Sequence, residues 1–132
     1  MPTPLLFALA LATPAPDDRL VVDGIPFGPQ QELVCTWFTN FENSRIEQCQ
    51  AAGKPVLPSP DGASIKCSRA ICEQLDADAR QASGGRQSDA PSGLFTVTLI
   101  GRVSPALHAR RYLSDGTGTV LIERILSVRK SG

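Results

Sequence analysis

Four cysteines, one histidine and a scatter of acids are the side chains of this 132-residue sequence best suited to chemistry. Cys35, Cys49, Cys67 and Cys72 are separated by thirteen, seventeen and four residues. Structural zinc needs closely spaced ligand pairs, and thiol–disulfide exchange favours the Cys-x-x-Cys spacing, which is absent. An even count reads instead as two disulfides, with three connectivities open. His108, in "SPALHARR", has Ser104, Ser114 and Asp115 near it in sequence. A hydrolytic triad needs a base beside a nucleophile and a group orienting the base, and no nucleophile-elbow motif accompanies it. His108 reads as a loop histidine. "DGTGT", 115–119, lacks the Lys-Ser/Thr ending of a phosphate-cradling loop and reads as a turn. Glu42, Glu47, Asp61 and Glu73 would serve an unrecognised hydrolase only if the fold made them converge in a cleft. No catalytic residue, metal-ligand set or cofactor motif is therefore assigned.

The elements that would position these residues are mostly strands. "ELVCTWF", 32–38, is rich in β-formers, "SRIEQCQ", 44–50, supplies a second strand, and "TNFENS" between them has turn composition. A brief strand is expected around 20–25. Residues 51–64, with three prolines and two glycines, read as an irregular loop before a short strand at "SIKC". Ser68 is a natural N-cap for one helix over about 69–82, with Ile71, Cys72, Leu75 and Ala79 on one face. After a linker-like stretch at 83–93, "LFTVTLIGRVS", 94–104, alternates as a long strand. A hairpin around Asp115–Gly118 would join "RRYL", 110–113, to "VLIERILSV", 120–128. In that last strand Val120, Ile122, Arg124, Leu126 and Val128 form the more apolar face and are expected to look inward. The fold class is α+β: a small, mostly antiparallel β domain with one helix, for which an OB-like barrel is one arrangement.

Composition bounds the setting. Acidic and basic residues balance at 13 each, which excludes a strong global field, and eleven Gly with eleven Pro imply many turns. From Gly101 onward the balance tips: Arg102, Arg110, Arg111, Arg124, Arg129 and Lys130 face only Asp115 and Glu123. The apolar run "LLFALALA", 5–12, has signal-peptide length and is too short to span a bilayer as a helix. The organisation expected is a signal peptide over 1–12, a disordered mature N-terminus over 13–19, and one disulfide-stapled domain over 20–132. Periplasmic or secreted location follows.

"CTWFTNFENSRIEQC", 35–49, and "RRYLSDGTGTVLIERILSV", 110–128, resemble segments of small, predicted-secreted proteins of Gram-negative bacteria that have no assigned function. The resemblance spans about Leu33 to Val128. It implies location and fold, and hands over no active-site residues.

Hairpin geometry chooses among the disulfide connectivities. A turn centred on Glu42 sets Cys35 opposite Cys49, Trp37 opposite Glu47 and Phe38 opposite Ile46. A cross-strand bridge is feasible where facing Cβ atoms approach to about 4–4.5 Å, and closing that loop is worth about 3 kcal/mol on chain-entropy grounds. Within one continuous helix Cys67 and Cys72 would point about 140° apart, so they bond only if Cys67 lies outside it. Cys35–Cys49 and Cys67–Cys72 are expected, with crossed pairing the alternative. Phe38–Ile46 is the better core pair in this register, which leaves Trp37 on the disulfide or partly exposed. The function expected is a non-enzymatic binding or interaction domain, with a protein or polyanionic partner in the cell envelope. Trp37, Arg102, Arg110, Arg111, Tyr112 and Arg124 form its candidate surface, and a polyanion-binding OB-like module is the alternative.

Overall fold

A computed structural model describes residues 19–40, 42–85, 90–110 and 116–131. The expected signal peptide, nearly all of the 13–19 segment, Arg111 and Tyr112 lie outside the described residues. The architecture is α+β. A small hairpin of β1 (Leu20–Val22) and β2 (Ile25–Phe27) precedes β3 (Gln31–Thr39), β4 (Ser44–Ala51), β5 (Lys54–Pro55) and β6 (Ala63–Cys67). The helix α1 (Arg69–Ala82) leads to the long strands β7 (Gly93–Val103) and β8 (Gly118–Lys130). Pairing runs β3–β7–β8–β6–β4, and β4 pairs back onto β3, so five strands form a ring. All neighbours are antiparallel except β6 and β8.

Alternation fills the inside of this ring. On β3 the residues Leu33, Cys35, Trp37 and Thr39 are buried, and on β7 the residues Phe95, Val97 and Leu99 are. Trp37 and Phe95 stack tilted, with ring centroids 5.5 Å apart. The helix begins where expected: the Ser68 hydroxyl accepts from the Ile71 N–H at 3.2 Å. It packs chiefly on β8, burying Leu75 and Ala79 into the same core.

The disulfides are Cys35–Cys49 and Cys67–Cys72, with Cα atoms 4.0 and 5.6 Å apart. The first sits in the core, where both cysteines are 1% exposed. Cys67 ends β6 before the cap, so the chain folds back and Cys72 reaches it from the helix's first turn. Two disulfides are consistent with an oxidising compartment. Among the described residues no helix is long and apolar enough to cross a membrane.

Three bulges correct the expected registers. In β3–β4 the ladder shifts between Thr36 and Trp37, so Glu47 is the extra residue and Trp37 faces Ile46. Trp37 and Ile46 are therefore the core pair, while Phe38 faces Arg45 and is half-buried. Trp37 is 2% exposed, in the same core cluster as Cys35 and Cys49, so of the two placements expected for it partial exposure is the one the structure rules out. In β7–β8 two further shifts leave Leu126 and Glu123 as extra residues. Each bulge moves the alternation by one. Val120, Ile122 and Ile125 face inward and Val128 packs partly buried against that core, while Arg124 and Leu126, expected inside, are exposed. Strand β8 pairs with β7 on one side and β6 on the other, and apart from Arg110 the strand expected at 110–113 lies outside the described residues. Extra residues also increase local coiling, which a ring of five strands requires.

Two turns were also unexpected. Asp23–Gly24, both at positive φ, make β1–β2 a two-residue hairpin instead of one brief strand. Ala52–Gly53 do the same for β4–β5, so the start of the presumed loop is ordered as a strand pair. At Gly101 close packing demands glycine, because a Cβ would run into the Leu121 carbonyl and the Leu99 side chain.

Candidate functional site

The N-terminal arm is what turns the outside of the ring into a groove. Gly28 N–H donates to the Val103 carbonyl at 2.9 Å, and Gln30 Nε2 donates to Glu123 Oε1 at 3.0 Å. Arg102 stands between them: its Nε donates to Glu123 Oε1 at 3.1 Å and its Nη1 to the Gly28 carbonyl at 3.3 Å. The bulge at Glu123 thus aims a carboxylate at the arm, and Arg102 clamps it there with a side chain only 12% exposed. Phe27 on the arm is buried, as is the outward-facing Leu121, although neither belongs to the main core. Farther along, the turn residue Asp23 pairs with Lys66 of β6 at 2.5 Å.

Arg102→Ala is accordingly expected to lower stability by about 1–3 kcal/mol, since it removes charge-assisted bonds from a mostly buried pair. Hydrogen exchange at the Gly28 amide should accelerate more than exchange in the β3–β7 ladder. Equal protection in the variant would refute the clamp.

The other wall of the groove is the stretch after β7. Ser104 is fully buried, its N–H donates to the Thr119 carbonyl at 3.0 Å, and its hydroxyl accepts from Ala106 N–H at 3.1 Å. His108 N–H reaches the Thr117 carbonyl at 2.8 Å. Both His108 ring nitrogens lie 3.0 Å from carbonyl oxygens, those of Ala109 and Gly118. The imidazole is engaged by backbone, and Ser104 is engaged in its turn; Ser114 and Asp115 lie outside the described residues.

Between these walls lies a groove of about 570 Å³. Ile25 and Pro26 of the hairpin face Ala106, Leu107 and Ala109 across a floor of Ser64, Ile65, Lys66 and Thr119. Leu107 is 55% exposed at its rim. A groove of a few hundred Å³, largely apolar with a few fixed polar groups, is the usual form of a ligand or peptide site. Sequence reasoning missed it, because its lining comes from four segments far apart in the chain.

A second cavity, of about 460 Å³, occupies the gap in the ring. Strands β4 and β6 meet at one bridge, Ile46 to Ala63, and part on the Ser44 side. Trp37, Thr39, Ser44, Cys67, Cys72, Leu75 and Asp76 line the opening. The Trp37 indole N–H donates to the Ser44 hydroxyl at 2.8 Å. Burial raises the Asp76 carboxyl above its ordinary value, and the Arg80 charge opposes this only in part. A carboxyl that holds its proton more tightly when folded contributes stability that is complete below its unfolded-state value. That contribution is lost as pH rises through the folded-state value. In urea unfolding series, Asp76→Asn should therefore gain on the wild type as pH rises across this range. A gap that closes with rising pH would contradict this.

Among the described residues the expected binding surface does not assemble as one patch; Arg111 and Tyr112 lie outside them. Trp37 is core, and Arg102 is the arm's clamp. Arg110 pairs with Asp61 at 3.4 Å beside β6, and Arg124 is exposed on β8 next to Ile100. The four acids of the hydrolytic alternative are also dispersed. Glu47 is paired with Arg45 at 2.9 Å, Asp61 with Arg110, and Glu73 with Arg69 at 3.4 Å, while Glu42 is exposed in the β3–β4 turn. Among the described residues no group of three or more His, Cys, Asp or Glu is placed to hold a metal ion. Compared with protein-family models, with curated proteins and with solved structures, the chain matches none of them.

Proposed function

We propose that this chain is a small, exported, non-enzymatic binding domain, acting in the periplasm or outside the cell, as its resemblance to small secreted proteins of Gram-negative bacteria implies. The observation that carries the reading is the groove between the clamped N-terminal hairpin and the 105–109 segment. Its walls are apolar, its Lys66–Asp23 pair is internally satisfied, and its histidine is engaged by backbone carbonyls. Such a lining suits an apolar side chain or short segment of a partner in the cell envelope better than it suits bond cleavage.

The test is affinity capture from periplasmic extract with the wild type and Leu107→Asp in parallel. A component retained by the wild type and lost with the variant supports the groove. A component retained equally by both overturns it. Turnover of ester, glycoside or phosphoester substrates by the purified wild type would overturn the non-enzymatic reading.

A second reading is a polyanion-binding OB-like module. The five-strand ring favours it, since OB-like modules bind oligonucleotides and oligosaccharides across one strand face. Pairing of Arg45, Lys66, Arg102 and Arg110 with carboxylates weakens it, because cations already neutralised add little to phosphate or sulfate binding. Retention on heparin that is lost at modest salt would promote this reading above the first.

A further inference from the structure

The cavity in the gap of the ring is separate from the groove and differs from it in chemistry. Among the described residues that line it, Asp76 is the sole ionisable side chain. Its carboxylate makes no hydrogen bond or ion pair among the described residues, and only the field of Arg80, one turn along the helix, acts on it. The other polar groups are largely spent. The indole N–H of Trp37 is given to Ser44, the Thr39 hydroxyl donates to the Asn40 carbonyl at 3.4 Å, and Asn40 Oδ1 accepts the Glu42 and Asn43 N–H groups. Among the described residues, what the wall offers a guest is one unpartnered anion at the rim, above an apolar floor of Trp37, Leu75 and the Cys67–Cys72 bridge.

We infer that this cavity binds a small organic ammonium ion, its charged nitrogen against the Asp76 carboxylate and its apolar body against Trp37, Leu75 and the Cys67–Cys72 disulfide. Anions are repelled by Asp76, and a neutral apolar guest leaves that carboxylate without a partner. A cation with an apolar tail satisfies both halves of the lining. The volume of about 460 Å³ admits a ring-sized amine.

Trp37 is the one tryptophan of the chain, so its emission reports on this cavity directly. The test titrates purified protein with benzylammonium chloride at constant ionic strength, with benzyl alcohol and benzoate as neutral and anionic counterparts. A saturable change in Trp37 emission is expected with benzylammonium. Binding should be about tenfold or more weaker for benzyl alcohol, the loss expected for one charge-assisted bond, and absent for benzoate. Asp76→Asn should weaken benzylammonium to the level of the alcohol, and Asp76→Glu should restore much of it. Asp76 stands at the cavity rim and is itself exposed, and an unchanged far-ultraviolet circular dichroism spectrum verifies that the variant folds. No saturable change up to tens of millimolar benzylammonium, equal affinity for the alcohol, or equal affinity of the Asp76→Asn variant would each overturn the inference.

Discussion

Trp37→Ala is expected to cost about 3–5 kcal/mol of unfolding free energy, a large share of the stability of an ordinary domain. The side chain is 2% exposed, stacks on Phe95, faces Ile46 across the ladder, and fills the ring beside the gap between β4 and β6. Truncation leaves a void that the neighbouring strands cannot close, because the Cys35–Cys49 bridge and the Thr36/Trp37 bulge fix their spacing. Trp37→Phe separates packing from hydrogen bonding. It keeps an aromatic ring but removes the 2.8 Å bond to the Ser44 hydroxyl, and should cost about 1 kcal/mol for that bond, plus a smaller packing loss. Urea unfolding followed by far-ultraviolet circular dichroism measures both, since the variants lose the only tryptophan fluorophore. A loss below about 1 kcal/mol for Trp37→Ala would show that the indole is no core residue, and would return it to the interaction surface that its sequence context suggested.

Which parts of this fold were legible follows from how local their causes are. The helix is legible because its cap and its apolar face lie within fifteen residues: Ser68 binds Ile71 N–H, and Leu75 and Ala79 face the core. The pairing of Cys35 with Cys49 is legible because it lies on the Cys35 side of the bulge, where symmetry about Glu42 still holds. Past that bulge the same symmetry sets Phe38 opposite Ile46 and Trp37 opposite Glu47, whereas the structure pairs Trp37 with Ile46 and sets Phe38 against Arg45. Nothing in "SRIEQC" marks Glu47 as an extra residue, because the need for coiling comes from closing the ring and not from the local segment. The same holds for Glu123 and Leu126 in β8. The parallel pairing of β6 with β8 joins residues more than fifty positions apart and leaves no local trace. The Asp23–Gly24 hairpin is the opposite case: its dipeptide is a strong turn signal, and it was readable at 20–27.

The candidate sites were less legible than the fold for a related reason. Arg102 reads in sequence as part of a basic surface, yet the bulge sets Glu123 against it and makes it a structural clamp. Lys66 and Asp76 carry no motif, and they acquire a role only when the hairpin turn and the ring's gap are brought beside them. The chemistry-bearing types were counted correctly in sequence. Their neighbours were not, because neighbours here are set by ladder registers across the whole chain.

Removing the two disulfides one at a time should have unequal effects. The Cys35–Cys49 bridge closes a span of 14 residues and Cys67–Cys72 a span of 5. Chain entropy alone assigns them about 3 and about 2 kcal/mol. Burial widens the difference. Both sulfurs of the first bridge lie in the core, so replacing them with alanine also leaves voids, whereas Cys67 and Cys72 are half-buried at a cavity wall. Paired alanine substitution should therefore lower stability by about 3–5 kcal/mol at 35/49 and by about 2 kcal/mol at 67/72. The same contrast predicts an order of reduction in the native protein. A thiol reductant reaches Cys67–Cys72 without opening the ring, but reaches Cys35–Cys49 only through unfolding of the β3–β4 hairpin. Timed alkylation after mild reduction, read by peptide mass, should label Cys67 and Cys72 first, with Cys35 and Cys49 following at the rate of global unfolding. Earlier labelling of Cys35 and Cys49 would mean that the hairpin opens independently, and that the ring is held shut by its β7–β8 side alone.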